Sequence, residues 1–145
     1  MKKNISHIFH KKANNKSAKK IAMDWAMRHL DGIAVYNSQF SNYIEFNKKG
    51  IKKTLSKNEK AFADKISYRH FIYSVIALKK ITSQARYVSK EKHRHGDENI
   101  SVHIFHYAFE IEGKKYNVKI VVREIILHKR EGLQKRFFYN HSFIV

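Results

Sequence analysis

The residues with the most chemical content lie in the second half of the chain. Ser101-Val-His-Ile-Phe-His-Tyr-Ala-Phe-Glu110, a Glu112-Gly113 pair and Lys115-Tyr-Asn-Val-Lys-Ile-Val-Val-Arg123 read as a β-hairpin closed by a two-residue turn. Such a turn sets Phe109 against Tyr116, Tyr107 against Val118, Phe105 against Ile120 and His103 against Val122, which gives one mostly apolar face. The other face carries His106 beside Lys119, with Arg123 two pleats further along and Ile104 and Val121 between the polar groups. Near the carboxyl end, Tyr139 and His141 stand two apart and so share one face of a final strand.

A cationic face that bears histidines suits phosphates. Acid–base work on a phosphate ester needs a base, an acid and fixed positive charge for the developing oxyanions. His141 is the leading candidate for acid or base, Arg123 and Lys119 for phosphate stabilisation, and His106 and Tyr139 are secondary candidates. Neighbouring cations favour a neutral imidazole, so a base is easier to supply than an acid, and Tyr139 or a substrate-paired histidine must donate. Each residue also has a plainer role open to it. A strand histidine is more often structural, Lys119 and Arg123 can simply be solvated, and Tyr139, within Phe137-Phe138-Tyr139, has an alternative place in the core.

The whole chain is strongly basic, with 30 Lys and Arg against 12 Asp and Glu, a formal +18 on 145 residues. Such a balance raises affinity for any polyanion through screened attraction and counterion release. The excess is concentrated between residues 48 and 95, which sum to +11, while residues 1–20 hold seven lysines and no acid. Cysteine and proline are absent, which excludes disulfides, a thiolate nucleophile and cysteine-type zinc sites. The longest apolar stretch, Phe71 to Leu78, is too short to span a bilayer, and Met1 to Lys20 lacks a secretory apolar run. These features predict a soluble protein.

Residues 1–16 read as a flexible basic arm, and 17–145 as a single domain. Within it the spacing predicts a helix from Ser17 to Leu30 with Trp25 as a core anchor, then short strands at Ile33 to Tyr36 and Tyr43 to Phe46. Asn47 to Ser56 forms a short helix in which Ile51 and Leu55 face inward and Lys48, Lys49, Lys52 and Lys53 outward. Ala61 to Thr82 reads as one long or kinked helix with Arg69, His70, Lys79 and Lys80 on its wet side. Arg86 to Lys90 is extended, and His93-Arg-His-Gly-Asp-Glu-Asn99 is a loop whose spacing matches no strong metal signature. Lys135 to Val145 adds a strand beside Lys115 to Leu127. The expected fold class is α+β, with N-terminal helices on one face of a C-terminal antiparallel meander.

Phe46-Asn-Lys-Lys-Gly-Ile-Lys-Lys-Thr-Leu-Ser56, His103-Ile-Phe-His-Tyr107, Glu112-Gly-Lys-Lys-Tyr-Asn-Val-Lys-Ile-Val-Val-Arg-Glu124 and Phe138-Tyr-Asn-His-Ser142 resemble the phage-associated barnase/EndoU/colicin/RelE-like nuclease domains found in toxins and polyvalent proteins. The resemblance spans residues 43 to 145 as short blocks. It implies helices packed on one side of an antiparallel sheet, with the open side used on RNA, and cleavage without a metal or other cofactor. One departure stands out: relatives often carry a histidine near the end of the Lys-Lys-Gly block, where this chain has Lys52-Lys53.

Together these readings predict a metal-independent endoribonuclease, a toxin or phage-encoded effector that cuts RNA by 2′-hydroxyl transphosphorylation. Its site of action would be the cytoplasm, reached from another cell or a phage. Lys48, Lys49, Lys52, Lys53, Thr54, Arg69, Lys79 and Lys80 are its expected nucleic-acid contacts. An acidic immunity or antitoxin protein is the expected inhibitor, by complementary charge. The alternative is a non-catalytic nucleic-acid binder on the same scaffold, with aromatic residues stacking bases. A third class, binding to anionic membranes or an acidic protein, ranks last because no continuous basic amphipathic helix is present.

Overall fold

The first helix is built on small residues. In α1 (Asn15–His29) Ala22 and Ala26 sit one turn apart and, with Leu30 just beyond, are completely buried. Trp25 lies at the edge of that stripe, half-buried and packed against the core with its ring 4.7 Å from His29. Arg28 and His29 occupy the last turn, where positive charge complements the helix dipole, and Gly32 at φ +79° turns the chain away. Two short strands, β1 (Ala34–Asn37) and β2 (Asn42–Glu45), pair antiparallel before α2 (Lys48–Lys57). The computed structural model describes residues 15–57, 68–92 and 101–144. Most of the predicted arm, the start of the Ala61–Thr82 segment and the His93–Asn99 loop fall outside them.

In the described part of the segment expected to be one long or kinked helix, the break is at Ala77, between α3 (Tyr68–Ile76) and α4 (Leu78–Gln84). Ala77 has φ −85° and ψ 1°, which depart from helical values toward the bridge region. Asn37 fixes the end of α4. Its side-chain amide, 1% exposed, donates to the carbonyls of Thr82 and Ala85, both at 2.9 Å. His70, expected on the wet side, is instead half-buried, and its Nδ1 lies 2.7 Å from the Tyr116 hydroxyl, tying α3 to the sheet.

Four longer strands complete the sheet: β3 (Arg86–Lys92), β4 (Ser101–Ile111), β5 (Lys114–Lys129) and β6 (Gly132–Ile144). The β4–β5 turn has Glu112 at φ +51° and Gly113 at φ +81°, the two left-handed residues of a type I′ turn. Phe109 accordingly pairs with Tyr116 and His103 with Val122. The strand order is β1-β2-β6-β5-β4-β3, and β2 runs parallel to β6 while the other pairings are antiparallel. The chain is therefore an α+β protein with a curled, mixed six-stranded sheet. The C-terminal strands β3 to β6 form an antiparallel meander, and the β1–β2 hairpin extends it into a mixed sheet through one parallel bridge, Glu45 to Phe138. A bridge spanning so much sequence leaves no local pattern.

All four helices among the described residues pack on one face. Ala22, Ile51, Leu55, Ile72, Val75, Leu78 and Ile81 form a single cluster with Phe105, Val118, Ile120 and Val122 of the sheet. That inner face is the core. The outer face carries a smaller cluster of Val102, Ile104 and Val121.

Candidate functional site

Strand register decides which candidates share the outer face. Lys119 pairs with His106, Val121 with Ile104, Val121 with His141, and Arg123 with Phe138. Directly opposed residues point the same way, so His106, Lys119, Arg123 and His141 all stand on the outer side. Tyr139 does not. Between Val121↔His141 and Val122↔Tyr139 the register shifts, which leaves Asn140 as the extra residue of a β-bulge and breaks the two-residue alternation. The expectation that Tyr139 and His141 share a face is corrected: Tyr139 turns inward beside Phe46, 1% exposed, with ring centroids 4.7 Å apart.

Tyr139 joins a chain of hydroxyls. Its oxygen lies 2.6 Å from Thr54 Oγ1 and 2.6 Å from Ser142 Oγ. Thr54 donates to the Gly50 carbonyl at 3.0 Å and accepts from the Ser142 backbone N–H at 3.1 Å. Burial pushes the Tyr139 phenol up to about 12 against the opposing effect of both hydroxyl contacts, so it stays a protonated donor. Thr54 is 4% exposed and engaged in this joint, which gives the residue expected to contact nucleic acid a structural role in the seam between helix and strand. Its physical job is to satisfy the edge of β6 where β2 has ended.

The same joint brings the α2 amino terminus onto the bulge. Asn47 caps the helix, accepting from the Gly50 N–H at 2.9 Å. Gly50 lies so close to β6 that a Cβ there would sit 2.2 Å from the Tyr139 carbonyl oxygen, so only glycine permits this approach. Where helix and strand meet, a cleft opens on the outer face, lined by Asn47, Lys49, Gly50, Arg123, Phe138 and Asn140, among others. Arg123 is half-buried, and its Nε is fully buried without a hydrogen-bond partner among the described residues. A buried, unpaired guanidinium N–H costs free energy until an acceptor arrives. With Lys49 exposed at the rim and the helix amino terminus adding positive potential, the cleft is chemically suited to an anion, and a planar guanidinium suits a phosphate in particular.

The other candidates distribute around it. His141 is 7% exposed, and its Nδ1 accepts from the Asn140 side-chain amide at 3.0 Å, which puts the proton of a neutral ring on Nε2. It shares the face of Arg123, while the described lining of the cleft takes Asn140 and not His141, Lys119 or His106. His106 and Lys119 are half-buried beyond it, and His106 Nδ1 accepts a long 3.4 Å contact from Asn117. Lys48 and Lys52 are exposed on α2 and Lys53 is half-buried there. Lys79 and Lys80 are exposed on α4, which belongs to the helical layer on the opposite side of the sheet. The side chain of Arg69 lies outside the described residues.

Sequence reasoning missed one buried array. On the inner face Tyr87 Oη lies 2.9 Å from His103 Nδ1, and His103 Nε2 lies 3.0 Å from Glu124 Oε1, with Lys90 Nζ 3.8 Å from Glu124 Oε2. His103 and Glu124 are 5% and 3% exposed. Desolvation holds the His103 imidazole below its ordinary value despite the carboxylate beside it. Burial, then the Glu124 charge, raises the Tyr87 phenol, opposite to what a nucleophile needs. The signal was available in the register: a strand that sets His103 against Val122 also places Glu124 diagonally beside it.

Among the described residues no group of three His, Asp or Glu side chains could hold a metal ion, and no helix is long and apolar enough to cross a membrane. The family model for Large polyvalent protein-associated domain 3 matches residues 13–139. No curated protein and no solved structure matches the chain.

Proposed function

The chain belongs to the large polyvalent protein-associated domain 3 family, and from that premise we propose that it is an RNA-binding domain that grips the phosphate backbone where α2 meets β6. The observation that carries this reading is Arg123, whose buried Nε has no partner among the described residues and lines a cleft shared with Lys49 and the first turn of α2. A phosphate there would accept from the guanidinium and from helix amides, and the +18 chain would steer it in. Anisotropy of a labelled single-stranded RNA titrated at several salt concentrations tests it. Affinity falls steeply with salt, and Arg123→Ala weakens binding at least about tenfold at low salt. Binding by Arg123→Ala equal to wild type overturns the assignment.

A second reading, a metal-independent endoribonuclease of the barnase/RelE-like kind, is favoured by His141 standing on the same face as Arg123 and Lys119. The 2′-oxygen would attack phosphorus as its proton passes to a base, and the P–O5′ bond would break as an acid protonates the leaving oxygen, giving a 2′,3′-cyclic phosphate. Rotation of the Asn140 amide would offer its oxygen to a protonated ring, so one neighbour serves both states of His141. Incubation with RNA in the presence of a chelator tests this. Fragments ending in cyclic phosphate, lost in His141→Ala while binding persists, support it. RNA left intact by the wild type eliminates it and leaves the binding reading untouched.

A further inference from the structure

Beyond the cleft, the outer face continues across β6 onto the β1–β2 hairpin, where two tyrosines stand in solvent. Tyr36 is 47% and Tyr43 62% exposed. They are cross-strand partners, with ring centroids 5.2 Å apart at 65°. Val35 and Ile44, one residue away on each strand, point the other way into the core, so neither tyrosine is recruited by the hydrophobic interior. Glu45 follows on the same side as Tyr43 and is gripped through two contacts by Arg136, one of them Nε to Oε2 at 2.9 Å. The Arg136 guanidinium in turn lies 4.9 Å from the Phe138 ring centroid, and Phe138 lines the cleft. From edge to centre, the outer face therefore presents an exposed aromatic pair, an arginine stacked on a phenyl ring, and the cationic cleft of Arg123.

We propose that Tyr43, backed by Tyr36, is a stacking subsite for an unpaired base of the same RNA strand whose phosphate occupies the Arg123 cleft. This rests on the RNA-binding reading and adds to it the substrate class, single-stranded rather than duplex. Two residues of strand and one strand spacing separate Tyr43 from Phe138, on the order of 8 Å, so the stacked base belongs to a nucleotide near the clamped phosphate. A paired base within a helix has both faces covered by its neighbours, whereas a splayed base gains an aromatic partner. The positive field of the chain selects a polyanion over a neutral apolar partner for this patch.

The test uses the full chain and a short 2′-O-methylated oligonucleotide, which 2′-hydroxyl attack cannot cut, presented single-stranded and as a duplex. Tyr43→Ala weakens single-strand binding by roughly 5- to 100-fold, changes duplex binding by less than about twofold and leaves the salt slope as in wild type. Tyr43→Trp restores the single-strand affinity. Arg123→Ala weakens both forms and lowers the salt slope. Unchanged single-strand affinity in Tyr43→Ala, with Arg123→Ala still impaired, overturns the stacking subsite and spares the cleft. Equal loss on single strand and duplex also overturns it. Failure of the wild type to bind either form overturns the cleft reading and the subsite with it.

Discussion

The α-carbon of Gly50 faces the carbonyl oxygen of Tyr139 so closely that a methyl group would lie 2.2 Å from it. Glycine-to-alanine exchange inside a helix ordinarily stabilises by roughly 1 kcal/mol. Here the sign reverses, because the obstructing atom is strand backbone. Gly50→Ala should cost about 2 kcal/mol of net stability, as overpacking does, and lower the melting temperature by roughly 4–8 °C. Thermal unfolding followed by circular dichroism reads this directly, and a rise in melting temperature would refute the tight contact.

Tyr139→Phe separates scaffolding from chemistry. Removing the phenol oxygen strips a partner from Thr54 and Ser142 and should cost about 1–2 kcal/mol. RNA affinity, and any cleavage in the presence of chelator, should survive, since that oxygen is sealed in the core with its proton held to about 12. Complete loss of cleavage by a well-folded Tyr139→Phe protein would return this residue to the reacting centre.

Stability should depend on pH through His103. Its imidazole is held below 6.5 by burial in the folded protein, so the unfolded chain binds the proton more readily. The associated stability is fully present above about pH 6.5 and is lost as the pH falls through the depressed folded value. Melting temperature should therefore decline on acidification below that point. His103→Gln should show a lower melting temperature at neutral pH and a shallower decline. A decline as steep in His103→Gln as in wild type would assign the acid sensitivity elsewhere.

Charge reversal on two helices tests whether the proposed RNA contact lies at the cleft. Lys48→Glu with Lys49→Glu alters the cleft end of α2 and should weaken binding by more than about tenfold at low salt. Lys79→Glu with Lys80→Glu alters α4 on the helical side and should weaken it by less than about threefold, through long-range field alone. Equal losses from both pairs would mean that the chain attracts RNA without a preferred face.

Local rules made the hairpin legible. Glu112-Gly113 admits a type I′ turn, that turn sets the β4–β5 register, and the register puts His106, Lys119 and Arg123 on one side. Ile51 and Leu55, four apart, marked the buried stripe of α2, both being 2% exposed or less. Three features had no such local mark. The bulge at Asn140, which parts Tyr139 from His141, is an extra residue that alternation rules cannot see. The Glu45–Phe138 bridge joins segments too distant for periodicity. The cleft itself exists only because Gly50 meets β6, and a glycine in a lysine-rich helix reads simply as a weak helix former until its neighbour is known.

β2 stops after Glu45, and α2 lies along the rest of β6, where Thr54 takes the Ser142 N–H that a further strand would have bonded. If α2 peels away, that strand bares an unpaired amide in the interior of the domain, a template onto which another chain can add. The proposed ligand cleft and resistance to aggregation thus share one helix, and a variant that loosens its seating should lose both together.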